Sequence, residues 1–257
     1  NQPPHLARRV PTVGDAALTL HAHLRMDGSW SAYRTADRRW PSPADHSVRA
    51  VLANSEWMAV GYWLGMLDLI PTTAEPTLIG HLGPDVMAAD FVEAGLPVAL
   101  QRFARDPARP IGGALLDQSN VAGIGTIYMA ESLYATRTSP WRPAGDSDLP
   151  AILGAARRQL LAAVVQPMPN TTGDVRRGQT HYVHARVGRP CRRCGNAVRV
   201  ASVGDPPRER PAFYCPTCQP GPAPTDDGRD QAPLGSMPAR QWSTRNNGLK
   251  RRRGPYG

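Results

Sequence analysis

Leu115-Leu116-Asp117-Gln118-Ser119-Asn120-Val121-Ala122-Gly123-Ile124-Gly125-Thr126-Ile127-Tyr128-Met129-Ala130-Glu131 is the stretch on which the reading of this chain turns. Two glycines, one residue apart, lie between two helical stretches, Gly112 to Gln118 and Ile127 to Ala135. Glycine admits positive φ and the close approach of another backbone. A helix starting near Thr126 presents free N–H groups at its positive end, a ready phosphate site. A tight helix–helix turn uses the same two glycines, so the motif by itself leaves both readings open.

Helical spacing extends to either side. Leu96 to Arg105 has it, with Pro97 tolerated in the first turn. Asp146 or Ser147 is positioned to cap a longer helix running to about Val165. Its expected apolar side is Leu149, Ile152, Leu153, Leu160 and Leu161. Residues 169–183 are polar and loop-like. Residues 1–80 read as strands. Ala17 to Leu24 holds short apolar alternations and runs towards Asp27-Gly28, a hairpin-turn dipeptide. Val48 to Leu52 and Met58 to Tyr62 flank Asn54-Ser55-Glu56, a second turn. Met66 to Ile70 ends at Pro71.

The clearest chemical signal lies further on. Cys191-Arg192-Arg193-Cys194 is followed by 20 residues and then Cys215-Pro216-Thr217-Cys218. Each pair supplies two thiolates from one tight turn, and two pairs complete a tetrahedral shell whose softness favours zinc. Ala197 to Val203 and Pro211 to Tyr214 suit a β-hairpin, so a zinc ribbon is expected. Four cysteines leave no open position, so one structural zinc is expected.

Composition narrows the classes. The chain has 257 residues, room for two small domains or one large one. With 27 prolines and 24 glycines it is not mostly helical. The formal charge is +9, and of the 30 basic residues only Lys250 is a lysine. Schiff-base chemistry on lysine is therefore closed to residues 1–249. Trp57 to Ile70, the most apolar stretch, has 14 residues with Asp68 among them, too short to span a bilayer. No secretory signal is visible, and paired CxxC motifs fit a reduced compartment, so a cytoplasmic protein without membrane partners is expected. The ribbon carries Arg186, Arg189, Arg192, Arg193, Arg199, Arg208 and Arg210, a surface suited to phosphates. Residues 220–257, ending in Lys250-Arg251-Arg252-Arg253, read as a disordered basic tail.

The Leu115–Glu131 stretch resembles the helix-two-turn-helix of the formamidopyrimidine-DNA glycosylase/endonuclease VIII family. Phe213-Tyr214-Cys215-Pro216-Thr217-Cys218-Gln219 is similar to that family's zinc finger. His21-Ala22-His23-Leu24-Arg25-Met26-Asp27-Gly28-Ser29-Trp30 resembles a strand and loop of its β-sandwich. With His81-Leu82-Gly83-Pro84-Asp85 the resemblance covers about residues 5–219 and looks most like the actinobacterial type of endonuclease VIII.

The resemblance implies an α+β fold. An incomplete antiparallel β-sandwich (1–80) would be followed by a helix-two-turn-helix domain (81–183), the four-cysteine zinc ribbon (184–219) and the tail (220–257). It implies a monomeric base-excision-repair glycosylase and AP lyase. Its partner is double-stranded DNA carrying oxidised bases, pyrimidines by branch, or abasic sites. The damaged base is flipped out. Met26 would fill the gap it leaves, and Gly123, Gly125 and Thr126 would bind the flanking phosphates. Arg210 would insert near the orphaned partner with its planar donors. Thr126 stands where the family usually has asparagine. Glu131 would position its helix rather than react.

One departure is large. The family's nucleophile is an amino-terminal proline followed by glutamate, and its sandwich carries a lysine in a Gly-Lys-His-Leu-like strand. Pro4-His5-Leu6 occupies that strand here, with Pro4 in the lysine position, and Pro3 and Pro4 are internal. No catalytic residue is therefore assigned. The expectation is a reading that lacks about the first fifty residues of a complete enzyme. As given, it would form no borohydride-trapped adduct. The alternatives are a non-catalytic zinc protein that binds damaged DNA and an unrelated nucleic-acid-associated zinc module.

Overall fold

In the computed structural model of the chain, the described residues are 6–10, 17–25, 27–37, 40–42, 44–166, 168–176 and 178–223. Met26, Pro3, Pro4 and the tail from residue 224 lie outside them. Two compact units divide at Gly83 and Pro84.

The first unit contains β1 (Leu6–Val10), β2 (Leu18–His23), β3 (Ser29–Arg34), β4 (Val48–Ala53), β5 (Trp57–Tyr62) and β6 (Met66–Pro71). They form two antiparallel three-stranded sheets, ordered β1-β2-β6 and β3-β5-β4. Met58 and Val60 are fully buried and alternate with exposed Trp57 and half-buried Ala59, the period-two pattern of a strand with one face inward. The Asn54 side chain makes the β4–β5 turn. Its Oδ1 accepts from the N–H groups of Glu56 (2.9 Å) and Trp57 (2.7 Å). Asp27-Gly28 makes no hairpin. β2 pairs with β1 and β6, while β3 pairs with β5, so this turn carries the chain from one sheet to the other. It is wider than a two-residue turn, because the Gly28 N–H reaches back to Leu24 O at 2.9 Å. A short helix, α1 (Pro76–Ile79), follows β6.

The second unit is helical with one hairpin: α2 (Leu96–Phe103), α3 (Ile111–Leu116), α4 (Thr126–Ala135), α5 (Leu149–Val164), β7 (Arg199–Val203) and β8 (Arg210–Tyr214). Phe91, Phe103, Ile111, Leu115, Tyr128, Met129, Leu133, Ile152 and Leu153 form its core. Each such side chain contributes about 1.5–3 kcal/mol on burial. The cap of α5 is Asp148, whose Oδ1 accepts from the Ala151 N–H at 3.1 Å. Asp146 instead ends a short 3₁₀ turn. Leu161 is exposed, because the buried stripe of α5 runs through Ile152, Ala156 and Leu160, and Leu161 lies a further 100° round the helix.

The hairpin is not free-standing. Val203 and Ala212 belong to the helical core. Val198, Val200 and Phe213 pack with Ala130 and Tyr134 of α4. Trp141 Nε1 donates to Ser202 O at 3.0 Å, and the Trp141 ring meets Tyr214 edge-on at 4.8 Å. Among the described residues no helix is long and apolar enough to cross a membrane.

Candidate nucleic-acid interface and metal centre

The turn before α4 is built by its own side chains. Asp117 Oδ1 accepts from the Ser119 N–H (3.0 Å) and hydroxyl (2.6 Å). Gln118 spans the loop: its Oε1 accepts from the Gly123 N–H at 2.9 Å and its Nε2 donates to Ile124 O at 3.0 Å. Ala122 is fixed on the other side, donating to Pro84 O and accepting from the Val86 N–H.

The two glycines differ. Gly123 has φ +101°, and a Cβ there would meet Val86 Cγ1 at 3.2 Å, so the protein's own packing requires glycine. Gly125 has φ −106°, which any residue adopts, and a Cβ there would meet nothing within 4 Å. No side chain caps the helix it precedes. The first turn of α4 thus has no side-chain cap and open space beside Gly125, at the end where the helix dipole favours an anion. Thr126 is the first residue of that turn.

Further along α4, Glu131 is completely buried. Its carboxylate accepts from the backbone N–H groups of Tyr182 (2.9 Å), Val183 (2.8 Å) and His184 (2.9 Å). The Thr171 hydroxyl is a fourth donor. A buried carboxylate with four donors is a fixing point for the irregular segment 169–184, and it faces no open cleft. The neighbouring His184 is held down to about 4 by burial, assisted by the closeness of His181.

The four cysteines converge, with all sulfurs within 4.8 Å of one another. Cys191 and Cys218 Sγ are 3.8 Å apart, and Cys194 and Cys215 Sγ are 3.4 Å apart. A tetrahedron with metal–sulfur bonds of about 2.3 Å has edges of about 3.8 Å, so the spacing fits a metal shell and is far too long for disulfides. Burial opposes the Cys191 thiolate, but the Tyr134 hydroxyl, 3.3 Å from Sγ, and backbone N–H groups outweigh it and bring Cys191 down to about 6. Burial drives Cys215 the other way, up to about 12. A bound cation would hold both as thiolates. Gln219 locks the second knuckle, accepting from the Cys215 N–H and donating to Thr138 O, both at 2.9 Å.

Arg210 opens β8 at the hairpin tip, exposed, with its guanidinium near Arg208 O (3.4 Å) and Glu209 O (3.1 Å). The tip lies against α3: a Cβ on Gly112 would meet Val203 Cγ2 at 3.1 Å, and one on Gly113 would meet Gly204 Cα at 3.3 Å. Charge is divided unevenly. Residues 1–83 hold seven arginines and seven acids, whereas residues 84–219 hold sixteen arginines and eleven acids. Gln118, Gln219 and Tyr134 were not singled out from sequence. Their pairing partners are backbone atoms or a sulfur, which composition and spacing do not reveal.

Comparison with known proteins agrees with this geometry. Residues 82–167 match the formamidopyrimidine-DNA glycosylase H2TH domain. A probable endonuclease 8 2 of Streptomyces coelicolor is 44% identical over 228 residues, covering 88% of this chain and 79% of the relative. The DNA-(apurinic or apyrimidinic site) lyase Nei2 of Mycolicibacterium smegmatis is 34% identical over 78% of this chain and 75% of its own. The solved Lactococcus lactis Fpg, in complex with DNA containing an abasic site, superposes with a TM-score of 0.64 at 20% identity, over 86% of this chain and 80% of that one. The last comparison speaks to the fold alone. The identity to the Streptomyces protein, extending through both units and the cysteine ribbon, places this chain in the formamidopyrimidine-DNA glycosylase/endonuclease VIII family.

Proposed function

We propose that the protein is a DNA glycosylase and AP lyase of base excision repair, acting as a monomer in the cytoplasm on duplex DNA with oxidised pyrimidines or abasic sites. The names of its relatives support the activity, and the open start of α4 is the observation of this structure that carries it. The free N–H groups there, with the Thr126 hydroxyl, bind the phosphates beside the lesion. Gly125 keeps the approach clear. Arg210 reaches the orphaned base and its phosphate, and Met26, outside the described residues, fills the gap left by the flipped nucleotide. One structural zinc, held by Cys191, Cys194, Cys215 and Cys218, supports the hairpin that carries Arg210. No residue of the site is assigned the nucleophile's role.

The test is Gly125→Ala. The fold has room for the methyl group, so stability should change by less than about 1 kcal/mol. Binding to a duplex with an abasic-site analogue should weaken about tenfold, because a close backbone–phosphate contact is lost. Unchanged binding, measured by fluorescence anisotropy at fixed salt, overturns the assignment of the turn.

A further inference from the structure

We propose that Arg109 is a positioning residue that holds the β7–β8 tip, and with it Arg210, in register with the Gly123–Thr126 turn. The inference rests on the DNA-binding reading of those two elements. Arg109 lies just ahead of α3. Its Nη1 donates to Asp117 Oδ2 at 2.7 Å and its Nη2 donates to Asp205 Oδ2 at 3.3 Å. Asp117 is the carboxylate whose other oxygen shapes the turn through Ser119. Asp205 is in the hairpin loop, two residues beyond Val203, and Val203 is the residue paired with Arg210 across the strands. One planar guanidinium therefore ties the base of the turn to the loop that carries the hairpin's DNA-facing arginine.

Two further observations favour positioning over direct phosphate binding. Both terminal nitrogens of Arg109 are already engaged by carboxylates, and its side chain is only 26% exposed. Asp205, by contrast, is 83% exposed. On a surface that meets phosphates an exposed carboxylate is unfavourable unless it has another task. Its place against Arg109 supplies one. The tip is seated closely on α3 beside this ion pair, since a Cβ on Gly113 would meet Gly204 Cα at 3.3 Å.

The two accounts of Asp205 predict opposite signs. If Asp205 only repels phosphate, Asp205→Asn tightens DNA binding. If it holds the tip, Asp205→Asn weakens it. The experiment uses the zinc-loaded full chain, with wild type, D205N, R109A and the double variant, on a duplex carrying a tetrahydrofuran abasic analogue and on its undamaged counterpart across a salt series. We expect D205N to weaken abasic-site binding about threefold, R109A at least as much, and the double variant to be no worse than R109A alone. The salt slope of R109A should fall by no more than the one phosphate contact that Arg210 makes, because Arg109 itself contacts no phosphate. Tighter or unchanged binding by D205N, or a slope in R109A reduced by clearly more than one, overturns the positioning role while leaving the DNA-binding reading intact. A wild type with no preference for the abasic duplex takes down both. Asp205 is exposed enough that D205N folds even if R109A does not, and melting temperature and zinc content verify this.

Discussion

The two units use their buried polar side chains for different ends. In the first, Thr19 and His21 lie on β2, a strand buried on both faces, and their partners are other side chains. Thr19 Oγ1 is 3.1 Å from Thr72 Oγ1 and 3.3 Å from Glu75 Oε2, and His21 Nδ1 is 3.2 Å from Asp68 Oδ2. The His21–Asp68 contact joins strands that the ladder already pairs, and Thr19 ties the same strand to the turn that follows β6. In the second unit, Gln118, Glu131 and Gln219 bond to backbone atoms of segments with no regular structure. There the side chains substitute for the missing ladder and so determine the loop's shape. The difference teaches where shape is vulnerable. The sheets should survive loss of a polar contact better than the turn, the 169–184 segment and the cysteine knuckles do.

Metal removal should be the largest way to break that contrast. The knuckles are closed by a few hydrogen bonds, and the hairpin shares its apolar residues with α4. Chelation or Cys215→Ala should therefore unfold the ribbon and loosen the second unit, with an apparent loss of about 10 kcal/mol of metal-binding free energy. Elemental analysis should give one zinc per wild-type chain, with circular dichroism showing the loss of structure on removal. A metal-free chain with an intact ribbon would remove the basis of the comparison.

Next in size is Glu131→Gln against Thr19→Val. Three backbone N–H groups converge on Glu131, and an amide in its place offers one acceptor oxygen and turns an NH₂ towards donors. The expected destabilisation is about 3 kcal/mol, against about 1 kcal/mol for Thr19→Val in the first unit. Urea unfolding followed by tryptophan fluorescence would check both, and equal losses would erase the distinction between the units.

How much of this was legible beforehand follows the same division. The strands of residues 17–71 and the helices of 96–164 are written in apolar period, and the cysteine spacing announces its own geometry. Asp27-Gly28 misled because the dipeptide encodes a tight turn but says nothing of which sheet the next strand joins. Asp148 was missed as the cap because Asp146, Ser147 and Asp148 all have capping chemistry, and only backbone geometry separates them. Leu161 was drawn inward by its hydrophobicity, though alanines at 155 and 156 fill that side of the helix. At the site, the glycine pair and Glu131 stood out, but the different needs of Gly123 and Gly125 depend on Val86, nearly forty residues away in sequence. Gln118 and Arg109 act through partners that no local pattern records.

The smallest effect separates the units by charge. Arg210 has no carboxylate partner among the described residues, and its guanidinium touches only carbonyls of its own hairpin. Arg34, on β3, is paired with Glu56 and lies over the Trp57 ring at 4.3 Å. Its charge is thus already answered within a unit that is neutral overall. Arg210→Ala should weaken abasic-site DNA binding roughly tenfold and lower the slope of log K against log salt by about 0.9, one phosphate contact. Arg34→Ala should change neither, and a salt titration of both variants is the check. If Arg34→Ala reduced the slope as Arg210→Ala does, the first unit would be a phosphate-binding surface in spite of its balanced charge. Net charge would then be a poor guide to which unit holds the DNA backbone, and local pairing of each arginine would have to be weighed instead.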